Sequence, residues 1–376
     1  MNLKIARFLS ENAPATPCLV VDLDVIGEAY DLLRRHLSAA GIYYAVKANP
    51  APEIVAMLAG KGANFDVASP AEIDLCLGNG ATADRLSFGN TIKKERDIAA
   101  AYAAGVRLFA FDSEGELDKL ARRAPGARVF CRILVSCEGA DWPLSRKFGC
   151  TPEMAAMLLE KARGMGLDPY GVSFHVGSQQ TDLDQWDKAI GAVARMFTLL
   201  AESDINLRMV NIGGGFPAQY RGRIAGLAEY AQAVTDAFTR HFGNRLPEII
   251  VEPGRSLVGD AGLIQSEVVL IADKGDGGDK RWVYLDVGKF NGLAETMGES
   301  IRYRIEVPGR SGPPAPVVLA GPTCDSADIL YERTEYRLPL DLEVGDKVEI
   351  LSTGAYTASY ASVGFNGFPP LRTHCI

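Results

Sequence analysis

Between residues 40 and 255, short apolar runs alternate with amphipathic stretches. The runs are IYYAVKAN (42–49), NFDVAS (64–69), RLSFGN (85–90), RLFAFDS (107–113), RVFCRILV (128–135), YGVSFHVGS (170–178), RMVNIGGGF (208–216) and EIIVEPGR (248–255). Segments such as PEIVAMLAGKG, PAEIDLCLGNG and KKERDIAAAYAAG lie between them and end in glycine, as helix C-termini do. The first four runs start roughly 22 residues apart, a length that suits a strand–loop–helix–loop unit. Eight strands with seven intervening helices predict an α/β fold, a TIM-like (β/α)8 barrel over residues 17–255.

An open doubly wound sheet uses the same units, but the polar positions favour the barrel. Lys47, Asp66, Asn90, Asp112, His175, Gly213 to Gly215 and Glu252 all fall at C-terminal strand ends. A barrel gathers those ends at one mouth, where active sites are built. An open sheet leaves its edge strands apart.

After Arg255 the pattern changes to strand-like segments punctuated by Gly, Pro and Asp: SLVGDAGLIQSEVVLIADKG, KRWVYLDVG, APVVLAGPTCD, DKVEILSTGAY and SYASVGFNGF. This predicts a second, mostly antiparallel β domain, a barrel or sandwich, over residues 256–376. An N-terminal strand region, residues 1–16 running into TPCLVVD, joins it.

Composition narrows the function classes. A length of 376 residues, 47% hydrophobic and 23% charged, is that of an ordinary globular chain of two domains. The start, MNLKIARFLSENAPATPCLVV, has no basic run leading into an apolar core, so no signal peptide is expected. No uncharged apolar run approaches the ~18 residues of a membrane span. Seven scattered cysteines without a CxxC pair read as reduced thiols of a cytoplasmic protein. Four histidines with no His/Cys cluster argue against a metal site. A net charge of −8 argues against nucleic acid or an anionic membrane as partner and is compatible with a cationic substrate.

Lys47 closes an apolar run, so its ammonium is expected at the barrel mouth with little water around it. Desolvation lowers the pKa of such an amine, as imine formation requires. The bland alternative is a lysine snorkelling out of a strand end. GGGF (213–216) follows the seventh strand and EPGR (252–255) the eighth, the place where barrels tend to hold phosphate. Successive glycines let backbone N–H groups crowd round an anion, and Arg255 adds a cation. Glu252 ends an apolar run and needs a partner, either an arginine or the pyridinium nitrogen of a cofactor. His175 is either a satisfied core residue or a flat ring for stacking on a cofactor, with Ser178 in reach of a phosphate. Cys324, beside Asp325 in LAGPTCDSADILYE, is either inert or a proton donor placed by the fold.

Together these motifs closely resemble the fold-type III pyridoxal-phosphate decarboxylases, the ornithine/diaminopimelate/arginine decarboxylase family with the alanine-racemase-like barrel. The resemblance runs from YYAVKAN through FDVAS, KFG, FHVGSQ, GGGF, EPGR, CDSAD and GAYT to FNGF. It implies pyridoxal 5′-phosphate carried on Lys47, with His175 stacked on its ring and Glu252 paired with its ring nitrogen. Ser178, Gly214, Gly215, Gly254, Arg255 and Tyr356 would hold the phosphate, and Asp66 and Glu72 would lie near the cofactor. The family's head-to-tail homodimer implies that Cys324 and Asp325 of one subunit complete the other's site, with Phe365 close by. Cys324 would then return a proton to the substrate's Cα.

The resemblance also bears on substrate. Diaminopimelate decarboxylases typically carry Glu after this cysteine and an Arg for the distal carboxylate. Here the residue is Asp325, which suits a distal ammonium, and Glu299 falls where the ornithine decarboxylase group places a second carboxylate. Two acids facing one cation suit a basic amino acid, L-ornithine first and L-lysine second. The segments KFNGLAETMGESIRY and LSTGAYTASYASVGFNGF are similar to bacterial ornithine decarboxylases in particular. The alternatives are a diaminopimelate or arginine decarboxylase, an alanine racemase that would leave CDSAD unexplained, and a non-enzymatic regulatory binding protein on the same fold.

Overall fold

The structure is a computed structural model, and it describes residues 2–142, 147–275 and 280–376. By internal contact the chain divides into two compact units.

One unit, Gly27–Pro217 with Ile224–Ser256, is a closed barrel of eight parallel strands. In chain order the strands are Ala40–Ala45, Asn64–Val67, Leu86–Phe88, Leu108–Phe111, Arg128–Arg132, Asp168–Ser173, Met209–Asn211 and Glu248–Val251. Each pairs with its neighbour in sequence, and Ile249 to Val251 close the ring against Ala40 to Ile42. All eight fall within or overlap the predicted runs. Their legibility has a simple cause: a parallel strand between barrel core and helix layer is buried on both faces, so it reads as continuous apolar sequence. Seven helices alternate with the strands: Pro52–Gly60, Pro70–Gly78, Glu95–Ala103, Glu114–Arg123, Pro152–Gly164, Asp184–Glu202 and Leu227–Phe242. Proline at the first turn starts two of them behind a hydroxyl cap, Ser69 accepting from the Glu72 N–H and Thr151 from the Met154 N–H. Across the barrel Tyr43, Leu108, Ala110, Phe130, Met209 and Ile250 pack as one cluster. Gly171 in the sixth strand is required, since a Cβ there would collide with the Met209 carbonyl.

The other unit holds an eight-stranded sheet. Its path runs Arg304–Glu306, Lys347–Leu351, Gly262–Ala272, Arg281–Leu285, Pro314–Ala320 and Ile329–Pro339. Cys18–Val21 adds antiparallel to Gly262–Ala272, and Arg372–Cys375 lies parallel to Cys18–Val21. Besides that pair, only Arg281–Leu285 with Pro314–Ala320 is parallel among the described strands of this sheet. Ile5, Leu9, Cys18, Val20, Leu263 and Leu351 form a core cluster of this unit.

Three features differ from expectation. Residues 1–16 hold a helix, Leu3–Asn12, capped by Asn2 and burying Ile5 and Leu9 four residues apart; the strand is Cys18–Val21. Because that strand pairs with Gly262–Ala272, the contact boundary falls after Ile26 rather than at residue 17. The segment SYASVGFNGF forms two short 3-10 turns instead of a strand, since Gly364, Asn366 and Gly367 all have positive φ, which breaks extended pairing. Among the described residues no helix is long and apolar enough to cross a membrane.

Candidate active site

The barrel brings most of the expected residues to the C-terminal ends of its strands. Lys47 lies in the turn Val46–Ala48 that follows the first strand, its Nζ 3.9 Å from Asp66 Oδ2. Its side chain is 54% exposed, so the dry surroundings expected for it are not present in the single chain. Asp66, by contrast, is buried, and its Oδ1 has no hydrogen-bond partner. Burial, then the nearby Glu252, pushes its carboxyl well above the usual range, with Lys47 opposing. A carboxyl that favours its proton beside an amine is equipped to exchange one with it. Glu72 has a local duty: its Oε2 accepts the Ala68 N–H at 2.7 Å and completes the cap of Pro70–Gly78.

His175 follows the sixth strand and accepts the Gly177 N–H on Nδ1 at 3.1 Å. The Nδ1 is therefore unprotonated, and the remaining proton of the neutral ring sits on Nε2. Burial, with Arg132 and Lys47 adding repulsion, holds its pKa well below the usual value, so the ring is neutral at pH 7. The glycine loop lies against it. A Cβ on Gly213 would meet the Phe174 carbonyl at 2.5 Å, one on Gly214 the Glu252 carbonyl at 2.7 Å, and one on Gly215 the Gly177 carbonyl at 2.7 Å. Gly213 and Gly215 also have φ of +66° and +98°. Only glycines fit this cradle. Ser178 Oγ stands 3.1 Å from Arg255 Nη2 and 3.3 Å from Nε, pairing a hydroxyl with a buried guanidinium beside Gly254. Ser178 itself is fixed by a two-stranded pair, Ser178–Gln180 with Ala140–Trp142, that no sequence pattern announced.

Two residues in this group escaped sequence reasoning. Asn211, fully buried at the end of the seventh strand, accepts the Gly213 N–H on Oδ1 at 2.9 Å. Its Nδ2 therefore faces Glu252 and donates to Oε1 at 2.5 Å. Arg132 ends the fifth strand; burial lowers its pKa, while Glu252, Asp112 and Asp66 pull it back up. In the sequence both are polar residues inside otherwise apolar runs, RMVNIGGGF and RVFCRILV. The Glu252 N–H donates to the Gly213 carbonyl at 2.8 Å and ties the residue to the glycine loop.

The remaining expected residues lie in the sheet unit. Cys324 is exposed, its N–H donating to Asn366 Oδ1 at 2.9 Å. Asp325 Oδ1 accepts the Ala327 N–H at 2.8 Å. Phe365 rests on Phe290, ring centroids 4.8 Å apart. Tyr356 follows Lys347–Leu351 with φ +56°. Glu299 has a structural duty of its own. It is buried, and its carboxylate accepts the N–H groups of Glu332 at 3.0 Å, Arg333 at 2.9 Å and Thr334 at 2.7 Å. Three of about four acceptor directions are spent on one strand, so Glu299 serves as a clamp on Ile329–Pro339. Burial opposes its ionisation, but the donors outweigh it and hold the carboxyl at about 2. Because the folded value lies below the ordinary 4.5, its stabilisation is complete above pH 4.5 and is lost as pH falls towards 2. Glu299→Gln is expected to flatten that acid limb, with a lower Tm at pH 7, as thermal unfolding measured from pH 2 to 7 reports.

A family model described as the pyridoxal-dependent decarboxylase pyridoxal binding domain matches residues 23–259. The chain belongs to the pyridoxal-dependent decarboxylases. A lysine/ornithine decarboxylase from Selenomonas ruminantium is 36% identical over 97% of this chain and 90% of that protein. Antizyme inhibitor 2 from Xenopus laevis is 32% identical over 94% of this chain and 80% of that protein. A lysine decarboxylase from Selenomonas ruminantium, solved in complex with PLP and cadaverine, matches with a TM-score of 0.89 at 34% identity, covering 100% of this chain and 94% of that one. This decarboxylase therefore uses pyridoxal phosphate and acts on an amino acid. Its residues fit the group: a cradle that a Cβ would fill, a buried guanidinium beside a hydroxyl, and a carboxyl group held in place by Asn211.

Proposed function

We propose that this decarboxylase converts L-ornithine to putrescine and CO2, and L-lysine to cadaverine and CO2. The observation that carries the reading is Asp325, an exposed carboxylate directly after Cys324, which suits a substrate with a distal ammonium. The similarity to a lysine/ornithine decarboxylase over nearly the whole chain supports it.

When bound, pyridoxal phosphate supplies an electron sink for the charge left at Cα as CO2 departs. This chain's residues do the rest. Lys47 would hold the cofactor through its amine, with Asp66 as the neighbouring proton store. Glu252 would keep a proton on the ring nitrogen, and His175 would offer its neutral ring for stacking. Ser178, Gly214, Gly215, Gly254, Arg255 and Tyr356 hold the phosphate. Asp325 orients the distal amine, Phe365 lines the substrate's path, and Cys324 delivers a proton to Cα.

The active sites in this reading are shared by two subunits, Cys324 and Asp325 of one completing the site organised by Lys47 in the other. Mixing inactive Lys47→Ala with inactive Cys324→Ala is then expected to recover about a quarter of parental activity, since random exchange makes half the dimers hybrid with one intact site each. Verified subunit exchange with no recovery would count against shared sites.

Steady-state assays with ornithine, lysine, arginine and meso-diaminopimelate test the substrate. Ornithine and lysine are expected within about 100-fold of one another in kcat/KM, because one methylene is worth about 1–3 kcal/mol. Preference for arginine or diaminopimelate would overturn the assignment. The likeness to antizyme inhibitor 2 favours a second reading, a binding protein without turnover. Such a protein has no need of Lys47, His175, Glu252 and Cys324 together, and all four are present.

A further inference from the structure

Cys324 sits on a loop just past the strand Pro314–Ala320, with no strand or helix of its own. Its stem is held from one side by Asp328, which is buried and accepts the Thr323 N–H at 3.1 Å, the Thr323 hydroxyl at 2.7 Å and the Lys289 N–H at 2.7 Å. The Asp328 N–H in turn donates to the Asp325 carbonyl at 3.0 Å. Glycine at 288 and 321 leaves room for that carboxylate, since a Cβ at either would strike it. From the other side comes Asn366, whose Oδ1 accepts the Cys324 N–H at 2.9 Å.

Asn366 belongs to a tight turn in which Gly364, Asn366 and Gly367 have φ of +71°, +50° and +79°. That turn is fastened independently of Cys324. The Ser362 N–H and hydroxyl donate to the Phe290 carbonyl at 2.8 and 2.6 Å, and the Phe365 ring rests on that of Phe290. A residue at position 366 thus meets two demands. It must tolerate the left-handed region, and it must offer an acceptor to the N–H of the thiol-bearing residue. Glycine meets the first alone; asparagine and aspartate meet both.

We infer that Asn366 is a positioning residue, fixing the backbone of Cys324 and hence the direction in which its thiol is presented. This rests on the assignment of Cys324 as proton donor. When CO2 leaves, its bonding electron pair stays at Cα. The thiol S–H bond breaks, a C–H bond forms at Cα, and the thiolate regains a proton from water. If the thiol is misdirected, protonation on the cofactor competes. Amino acid and cofactor then give CO2, an aldehyde and the amine form of the cofactor, the nitrogen passing from substrate to cofactor. Asn366 would therefore set the fidelity of protonation rather than the affinity for substrate.

The test compares Asn366→Gly, Asn366→Ala and Asn366→Asp in the full-length holoenzyme. Asn366 is exposed and glycine adopts φ +50° freely, so the first variant leaves the fold intact. Two readouts accompany kcat and KM: the rate of Cys324 alkylation by iodoacetamide, followed by peptide mass, and the number of turnovers before the cofactor is lost as its amine. Glycine and alanine are expected to change the alkylation rate at least about threefold. They should also lower kcat about tenfold, with KM within about twofold, and shorten cofactor lifetime. Aspartate is expected to stay near the parent in all three. Parental alkylation and cofactor lifetime in Asn366→Gly overturn the inference, as does an effect confined to alanine, which would report backbone strain alone. Cys324→Ala separates the two levels. If it keeps parental turnover and cofactor lifetime, the donor role of Cys324 fails and takes the catalytic claim for Asn366 with it, whereas the alkylation rates still report whether Asn366 holds the thiol.

Discussion

Replacing Lys47 with alanine is expected to lower turnover of ornithine and lysine by at least about 10³-fold and to abolish the visible absorbance of lysine-bound cofactor. The fold should survive, because Lys47 lies in a turn beyond the first barrel strand with a half-exposed side chain. The change also leaves Asp66 without the cation 3.9 Å away that opposes its raised pKa, so Asp66 should hold its proton more firmly still. Far-UV circular dichroism establishes the fold, visible absorption the cofactor link, and CO2 release the turnover. A variant that keeps both absorbance and turnover removes Lys47 from the chemistry and the proposed reaction with it.

Glu252→Gln should cost about 10²-fold in kcat with little change in KM or Tm. The geometry isolates the chemical loss. Asn211 Nδ2 donates to Glu252 Oε1, and a glutamine carbonyl can accept that bond as well as a carboxylate can. The backbone link between residue 252 and the Gly213 carbonyl does not involve the side chain. What would disappear is the negative charge to which the proposed mechanism assigns the proton on the ring nitrogen of the cofactor. Saturating assays with thermal unfolding as control decide the matter: kcat within about threefold of the parent would mean that Glu252 is not the group sustaining the electron sink.

The way the barrel was legible explains what was not. Strands buried on both faces appear as apolar runs, so a polar residue closing one stands out, and Lys47, Asp66, His175 and Glu252 were found that way. Asn211 and Arg132 stand inside the runs RMVNIGGGF and RVFCRILV rather than at their ends, so no such signal marks them. Ser178 lay in a recognised motif, but the strand pair that fixes it depends on Ala140–Trp142, about 40 residues upstream. Glu299 stood out in the sequence as a carboxylate in a motif position, but its three backbone donors on Ile329–Pro339 come from residues more than 30 positions away and left no local sign.

Thus the eight-run count, the glycines after the seventh strand and the ordered motifs from YYAVKAN to FNGF determined by themselves the barrel, the family and the cofactor. Periodicity and unusual residues are properties of the chain read locally, and each barrel strand pairs with its sequence neighbour. The tertiary structure alone decided which side chains meet across long separations: Asn211 with Glu252, Ser178 with Arg255, Cys324 with Asn366. Hydrogen bonds of about 3 Å between residues some 40 to 80 positions apart depend on where the backbone carries each partner, and local pattern holds no record of that distance.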